Sequence, residues 1–373
     1  MTATSSDAAA LRRIVAAARP CVQGLAPYVP GARPSTVDEQ VCRLASNENP
    51  LGPSPKALAA LAEPANLSRY PDNDGHALRE TLSARHDCPA DCLLFGNGSS
   101  DLLDLVACAY LEAGRSAAFA RHAFVVYPLV VQAAGAEARI SAPHGVAHEQ
   151  PLGHDPETLL ERVDETTAVV FIANPNNPTG TVLTDDEIRA LLKALPPQVL
   201  VVLDEAYAEY RDPIPAAGRF LEYPQVIVTR TFSKIFGLAG LRIGYALAHP
   251  EVVAMLNRVR QPFNVNTLAQ QAALAAVGDD EHVARSRAAN AEGMQRLLGT
   301  ARELELRALG THANFLTLDF GERAQAVVAY LHERGILVRA LPEYELPNWL
   351  RFTIGTPEET RTLIDALHAW RES

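Results

Sequence analysis

The chain has 373 residues, 33 basic and 44 acidic, for a formal charge of −11. That length provides for about two domains and a large core, and 48% hydrophobic with 21% charged residues is the balance of an ordinary folded protein. The acidic balance argues against a dedicated nucleic-acid binder, and no run of about 18 apolar residues marks a membrane-spanning helix.

At the N-terminus, Arg12 and Arg13 precede no long apolar core, so no signal peptide is expected. Five cysteines (Cys21, Cys42, Cys88, Cys92 and Cys108) are odd in number and scattered. Cys88 and Cys92 have no second pair to complete a zinc site, so no metal is expected and the thiols suit a reducing cytoplasm.

In chain order, Ser54-Pro55 starts a helix with proline at its first position. Leu93 to Phe95 reads as a strand, followed by Gly96-Asn97-Gly98-Ser99-Ser100-Asp101 and a helical pattern from Leu102 to Leu111. Ala117 to Phe119 and Ala168 to Ile172 are further strands, the second leading into Asn174-Pro175-Asn176-Asn177-Pro178-Thr179-Gly180. Thr184-Asp185-Asp186-Glu187 is a capping box for a helix through Leu195, ended by Pro196-Pro197. The strand Val199 to Leu203 runs into Asp204, and Val226 to Val228 runs into Thr229-Arg230-Thr231-Phe232-Ser233-Lys234. Ile243 to Leu247 is another strand, and Thr267 to Leu298 reads as one long helical pattern. Near-continuous apolar strands alternating with helices predict an α/β fold with a mainly parallel, doubly wound sheet covered on both faces. In such sheets ligands sit at the carboxyl ends of strands, so the polar runs that follow each strand matter most.

Only three of the basic residues are lysines: Lys56, Lys193 and Lys234. Lys56 falls in a first helical turn and Lys193 near a helix end, where a cation complements the dipole. Lys234 stands among hydroxyls, phenylalanines and a glycine. It is either a solvated lysine after a strand or an amine nucleophile of lowered pKa, of the kind that forms a Schiff base. Ser99 and Ser100, at a Gly-rich turn, either serve as ordinary helix-opening residues or donate to an anion with the backbone N–H groups beside them. Thr231, Ser233 and Arg242 offer further anion contacts, although an arginine at that place also suits a sheet edge. Asp204 either caps the next element or needs a cationic partner such as a protonated pyridine nitrogen. Tyr207 suits a ring-hydroxyl contact or plain packing. Together with an amide at Asn177 and an aromatic ring at Phe124, these residues describe one ligand, pyridoxal 5′-phosphate, whose phosphate, ring nitrogen, ring oxygen, ring face and aldehyde each find a matching group.

The segment Leu44-Ala45-Ser46-Asn47-Glu48-Asn49-Pro50-Leu51-Gly52-Pro53-Ser54-Pro55 resembles a signature of the fold-type I pyridoxal-phosphate aminotransferases. So do Asn174 to Gly180, Ser233-Lys234 with Leu238 to Gly244, and Leu350 to Thr356. Within that group the chain resembles the histidinol-phosphate aminotransferases, from Leu25-Ala26-Pro27-Tyr28 to about Leu367. The resemblance implies that Lys234 holds the cofactor and moves the proton, and that Asp204 pairs with the ring nitrogen. It implies that Asn177 and Tyr207 contact the ring hydroxyl, that Phe124 stacks on the ring, and that Ser99, Ser100, Thr231, Ser233 and Arg242 hold the phosphate. Tyr70 resembles the tyrosine that reaches the cofactor phosphate of a neighbouring subunit, which implies a homodimer. Arg351 resembles the arginine for the substrate α-carboxylate, Arg339 the one for a substrate phosphate, and Tyr28 the tyrosine that closes over the substrate. Phe124 stands where the family commonly has tyrosine, and it stacks without donating a hydrogen bond. After Arg339 come Glu343 and Glu345, which either are solvated loop charges or face the pocket and oppose a phosphorylated substrate.

The architecture implied is a large cofactor domain over residues 37–260 and a smaller α+β domain over 261–373, with residues 1–36 as an N-terminal arm and part of the small domain. The activity implied is cytoplasmic transfer of an amino group from L-histidinol phosphate to 2-oxoglutarate, in histidine biosynthesis. An aromatic amino acid aminotransferase acting on phenylalanine or tyrosine, a decarboxylase on the same fold, and a pyridoxal-phosphate-binding regulator are the alternatives. Partners are the small-molecule donor, the 2-oxo acid acceptor and a second copy of the chain, with neither nucleic acid nor membrane.

Overall fold

A computed structural model describes residues 11, 13–26, 41–63 and 65–372. The strands in chain order are β1 (Cys42–Arg43), β2 (Leu93–Gly96), β3 (Ser116–Ala120), β4 (Glu137–Ser141), β5 (Thr167–Ala173), β6 (Leu200–Asp204), β7 (Val226–Thr231) and β8 (Gly244–Ala248), then β9 (Arg307–Ala308), β10 (Phe315–Asp319), β11 (Ile336–Leu337), β12 (Arg339–Leu341) and β13 (Leu346–Thr353). Seven of them form one sheet in the order β2-β8-β7-β6-β5-β3-β4. All neighbours run parallel except β8, which is antiparallel to both β2 and β7.

Both faces of this sheet are covered, as its apolar strands demand. Val170, Ile172, Val201, Leu203 and Val228 pack under helices His76–His86, Asp185–Ala194 and Thr267–Val277. Their neighbours Val169, Phe171, Leu200, Val202 and Ile227 face the other way, toward Ser99–Tyr110, Val126–Ala134 and Pro250–Asn257. Strand period two therefore assigns each residue to one core or the other. The predicted capping box at Thr184 is present: Glu187 N–H donates to the Thr184 hydroxyl at 3.2 Å and Thr184 N–H to the Glu187 carboxylate at 2.7 Å. Ser54 caps Pro55–Ala62 by accepting from Ala57 N–H.

Three details depart from the sequence reading. The short β1 and the strands β9 to β13 were not predicted individually. Strand β4 was not among the predicted strands, because as an edge strand it is mostly exposed and carries no apolar run. The pattern from Thr267 to Leu298 is two helices, Thr267–Val277 and Asp280–Glu303. Gly278 closes the first, and the Asp279 carboxylate caps the second by accepting from His282 N–H at 3.4 Å.

A second, antiparallel sheet has the order β12-β13-β10-β9. Leu316, Leu318, Leu350 and Phe352 point into a third core with Met294, Leu297, Leu363 and Leu367. Cys42 and Leu44 join that core, and β1 pairs in parallel with β11. The intervening residues of β10 and β13, including Thr317, Arg351 and Thr353, face away from it. Thr317 donates to the Pro178 carbonyl at 2.6 Å, which places this second face against the loop after β5.

Candidate active site

The carboxyl ends of β5, β6 and β7 and the start of the helix Ser99–Tyr110 form one side of a cavity. The segment Ala45-Ser46-Asn47 and the arginines of β12 and β13 form the other. Ser99, Ser100, Phe124, Asn177, Asp204, Tyr207, Thr231, Ser233, Lys234, Arg242, Arg339 and Arg351 all line it, so twelve side chains singled out from sequence converge.

Lys234 follows β7 and donates from Nζ to the Ser46 carbonyl at 2.9 Å. Burial lowers its pKa from 10.5 to about 7, and the Arg351 and Arg242 guanidiniums push in the same direction, against Glu48 and Asp204. The lysine is enclosed by protein yet reached from the cavity, and an amine with that pKa is substantially neutral near pH 7. This environment favours the nucleophile over the solvated surface lysine.

Asp204 is the last residue of β6 and only 3% exposed. Thr229 and Tyr127 hydroxyls donate to its two oxygens at 3.2 and 3.3 Å. Burial nonetheless raises its pKa from 3.8 to about 6, the two hydroxyls pulling the other way. On the opposite face of the same strand ends, the fully buried Glu205 accepts from Arg219 and Arg230, and anchors β6 to β7.

Tyr207 accepts at its hydroxyl from Asn47 Nδ2 at 2.8 Å. Asn177 accepts at Oδ1 from Arg351 Nη1 at 2.5 Å. Arg351 also donates from Nη2 to the Ala45 carbonyl at 2.7 Å, while its buried Nε has no hydrogen-bond partner among the described residues. Phe124 stands edge-to-face with Tyr127, ring centroids 5.9 Å apart. Arg242 has a left-handed backbone (φ 55°) and donates to Ser233 Oγ at 3.3 Å. Ser233 N–H donates to Thr231 Oγ1 at 3.1 Å. A Cβ on Gly98 would lie 2.6 Å from Arg242 Nη2, so the glycine lets the guanidinium approach the helix start.

These residues fit pyridoxal 5′-phosphate. A buried carboxylate that two hydroxyls leave with a raised pKa has no ion pair among the described residues, and a protonated ring nitrogen would supply one. The helix start, the hydroxyls of Ser99, Ser100, Thr231 and Ser233, and the Arg242 guanidinium form a donor set for a phosphate. Lys234 supplies the amine for an aldehyde.

Sequence reasoning gave no role to Tyr127, Thr229 or Asn47. Strand parity carried a signal for Thr229, since β6 and β7 register Asp204 opposite Thr229 and one face of the sheet holds both. Asn47 lay within the segment quoted for its resemblance, with φ 56° and 1% exposure. Tyr70 is outside the cavity: it is 81% exposed and stacks on Phe263 with centroids 4.6 Å apart. Tyr28 lies outside the described residues. Glu343 and Glu345 separate: Glu343 binds Arg339, whereas Glu345 lies 3.8 Å from the exposed Arg121.

A model of the family "Aminotransferase class I and II" matches residues 39–367. "Histidinol-phosphate aminotransferase 2" of Pseudomonas fluorescens is 49% identical, over 95% of this chain and 97% of that protein. "Histidinol-phosphate aminotransferase 1" of Thiobacillus denitrificans is 45% identical, over 94% and 93%. Among solved structures, histidinol-phosphate aminotransferase from Sinorhizobium meliloti in complex with pyridoxal 5′-phosphate is similar with a TM-score of 0.85 and 29% identity, over 95% of this chain and 97% of that one.

Proposed function

The chain belongs to the class I and II aminotransferases and depends on pyridoxal phosphate, and on that premise we propose that it moves the amino group of L-histidinol phosphate to 2-oxoglutarate, a step of histidine biosynthesis. The observation that carries the substrate is the pair Arg339 and Arg351. They stand directly opposite across the antiparallel β12–β13 pair and both line the cavity. An amino acid carries a carboxylate on Cα, which one guanidinium satisfies. Histidinol phosphate carries there a phosphate on a CH2–O arm, longer and more highly charged, which suits two guanidiniums. The names of the relatives agree with this reading.

Bound pyridoxal phosphate supplies an electron sink that acidifies the substrate Cα–H bond. The chain's own residues do the rest. Lys234 Nζ, neutral because of its depressed pKa, takes the proton from Cα and returns it on the cofactor side. Asp204 keeps a proton on the ring nitrogen, with Tyr127 and Thr229 fixing its orientation. Asn177 and Tyr207 hold the ring hydroxyl, Phe124 covers the ring, and Ser99, Ser100, Thr231, Ser233 and Arg242 retain the phosphate. Arg351 orients the substrate anion.

The reading includes a homodimer in the cytoplasm. An exposed Tyr70 stacked on Phe263 suits a residue that serves a second subunit's site, and the five cysteines are unpaired. It also includes a large domain over about 37–260 and a small one over 1–36 and 261–373. Packing argues for shifting two pieces: the alanines of Thr267–Val277 lie in a core of the large sheet, and Cys42 and Leu44 lie in the core of the small one.

The test mixes holoenzyme separately with histidinol phosphate, phenylalanine and glutamate and follows loss of the cofactor's visible absorbance. Fast conversion by histidinol phosphate and slow conversion by phenylalanine supports the reading. The reverse order makes the enzyme an aromatic aminotransferase, and carbon dioxide release without consumption of an oxo acid makes it a decarboxylase.

A further inference from the structure

Arg339 is held by a carboxylate of its own chain. Its Nε donates to Glu343 Oε1 at 2.9 Å, and Nη2 donates to the same oxygen. The Arg339 side chain is 11% exposed and that of Glu343 is 29% exposed. Glu343 lies in the short turn Pro342–Tyr344. That turn is pinned to the large sheet's side of the cavity, where the Tyr344 carbonyl meets His122 Nδ1 at 2.7 Å, and Tyr344 itself lines the cavity. Glu343 is thus an exposed residue whose carboxylate is nonetheless held against an arginine of the cavity wall.

Like charges directly opposite on a sheet are unfavourable, and a desolvated guanidinium without an anion is costly. The first applies to Arg339, which faces Arg351 across the β12–β13 pair, and Glu343 guards against the second. A transaminase takes two donors in turn at one site. Resting on the proposed function, those are a phosphate monoester and an amino acid whose Cα carboxylate is shorter and carries less charge. Arg339 needs a counterion in the second case and in the empty site, but a competing one in the first.

We propose that Glu343 is a specificity-determining residue, the built-in counterion that Arg339 keeps when the site is empty or holds an amino acid and yields to an arriving phosphate. Glu343 thereby weakens binding of phosphorylated donors while it preserves turnover of glutamate. Its nearby counterpart Glu345, paired with Arg121 and 63% exposed, has no such part.

The experiment compares wild-type, Glu343→Gln and Glu345→Gln holoenzymes in the half-reactions with histidinol phosphate and glutamate, and measures inhibition of the glutamate half-reaction by inorganic phosphate. In Glu343→Gln, the ratio of kcat/KM for histidinol phosphate to that for glutamate is expected to rise about tenfold, as for loss of a competing charge-assisted bond. Inorganic phosphate is expected to inhibit at correspondingly lower concentration, and Glu345→Gln is expected to match wild type. An unchanged or lower ratio with unchanged phosphate inhibition overturns the proposal, as does an equal rise in Glu345→Gln, which would make the effect one of general charge. A wild-type enzyme that ignores histidinol phosphate overturns the substrate assignment instead. The phosphate inhibition then still decides whether Glu343 competes for Arg339.

Discussion

Arg351 donates from Nη1 to Asn177 Oδ1 at 2.5 Å, joining the arginine proposed to hold the substrate to the amide proposed to hold the cofactor ring across 174 residues of chain. The bond occupies the carbonyl end of Asn177, which leaves its NH2 end for the ring oxygen. On the proposed roles, substrate orientation and ring orientation are mechanically linked. Arg351→Lys, which cannot reproduce the planar fork, is expected to raise KM for glutamate about 10- to 100-fold, the effect of losing charge-assisted bonds. Asn177→Ala in the Arg351→Lys background is expected to cost less than in wild type, because the two residues share one network. Steady-state kinetics of the double-mutant cycle checks this.

The amine of Lys234 titrates near 7 in place of its usual 10.5. Only the neutral amine attacks an aldehyde, so the rate at which cofactor-free protein captures pyridoxal phosphate is expected to rise with pH through about 7 and level off above it. Stopped-flow absorbance measures the profile. A rise that continues toward pH 10 would mean that burial and the two guanidiniums do not depress the amine. Lys234→Ala is expected to lower the half-reaction rate by about three orders of magnitude or more, the scale of a lost general base.

The carboxyl of Asp204 is pushed up to about 6 in the folded chain, by burial, against the ordinary 3.8 of an aspartate in the unfolded chain. A raised folded pKa means that its stabilising contribution is present below about pH 4 and is lost as pH rises through 6. Asp204→Asn removes the buried charge while keeping a hydrogen-bonding side chain. In cofactor-free protein it is expected to stabilise the fold by about 1–3 kcal/mol at pH 8 and to have little effect at pH 4. Thermal unfolding at the two pH values reads the difference. The same substitution is expected to slow the half-reaction at least about 100-fold, since no ionised partner then holds the ring proton.

Gly98 has φ 84°, and a Cβ there would lie 2.6 Å from Arg242 Nη2. Gly98→Ala is expected to displace the guanidinium and to weaken retention of pyridoxal phosphate about tenfold or more, by backbone strain and a lost phosphate contact together. Equilibrium dialysis of the cofactor measures it.

If Tyr70 serves the neighbouring site, Tyr70→Ala and Lys234→Ala subunits complement each other. A hybrid dimer then has one site with both residues intact. Mixing the two weakly active proteins under conditions of subunit exchange is expected to restore activity, and no recovery would place Tyr70 in its own subunit's site or in neither.

Much of this protein was determined by short-range pattern. Alternating apolar strands and capped helices specified the doubly wound sheet, because strand and helix periods are written in neighbouring residues. Lys234, Asp204, Asn177 and Ser99 were legible as polar residues at the ends of such strands, whereas Arg351 was legible only through the family resemblance; in the structure it alternates with the core residues Leu350 and Phe352. The same logic missed β4, whose edge position needs no apolar run, and merged two helices that Gly278 and Asp279 separate. Only tertiary structure decided which groups meet. Asn47 reaches the Tyr207 hydroxyl across 160 residues, and Tyr127 reaches Asp204 across 77. It also decided that Glu343, one of two similar loop carboxylates, binds Arg339 while Glu345 turns toward Arg121. These pairings follow from how helices and the second sheet pack around the carboxyl ends of the large sheet's strands, a long-range arrangement that local propensity does not encode, and the depressed pKa of Lys234 and the charge balance at Arg339 exist only once it has formed.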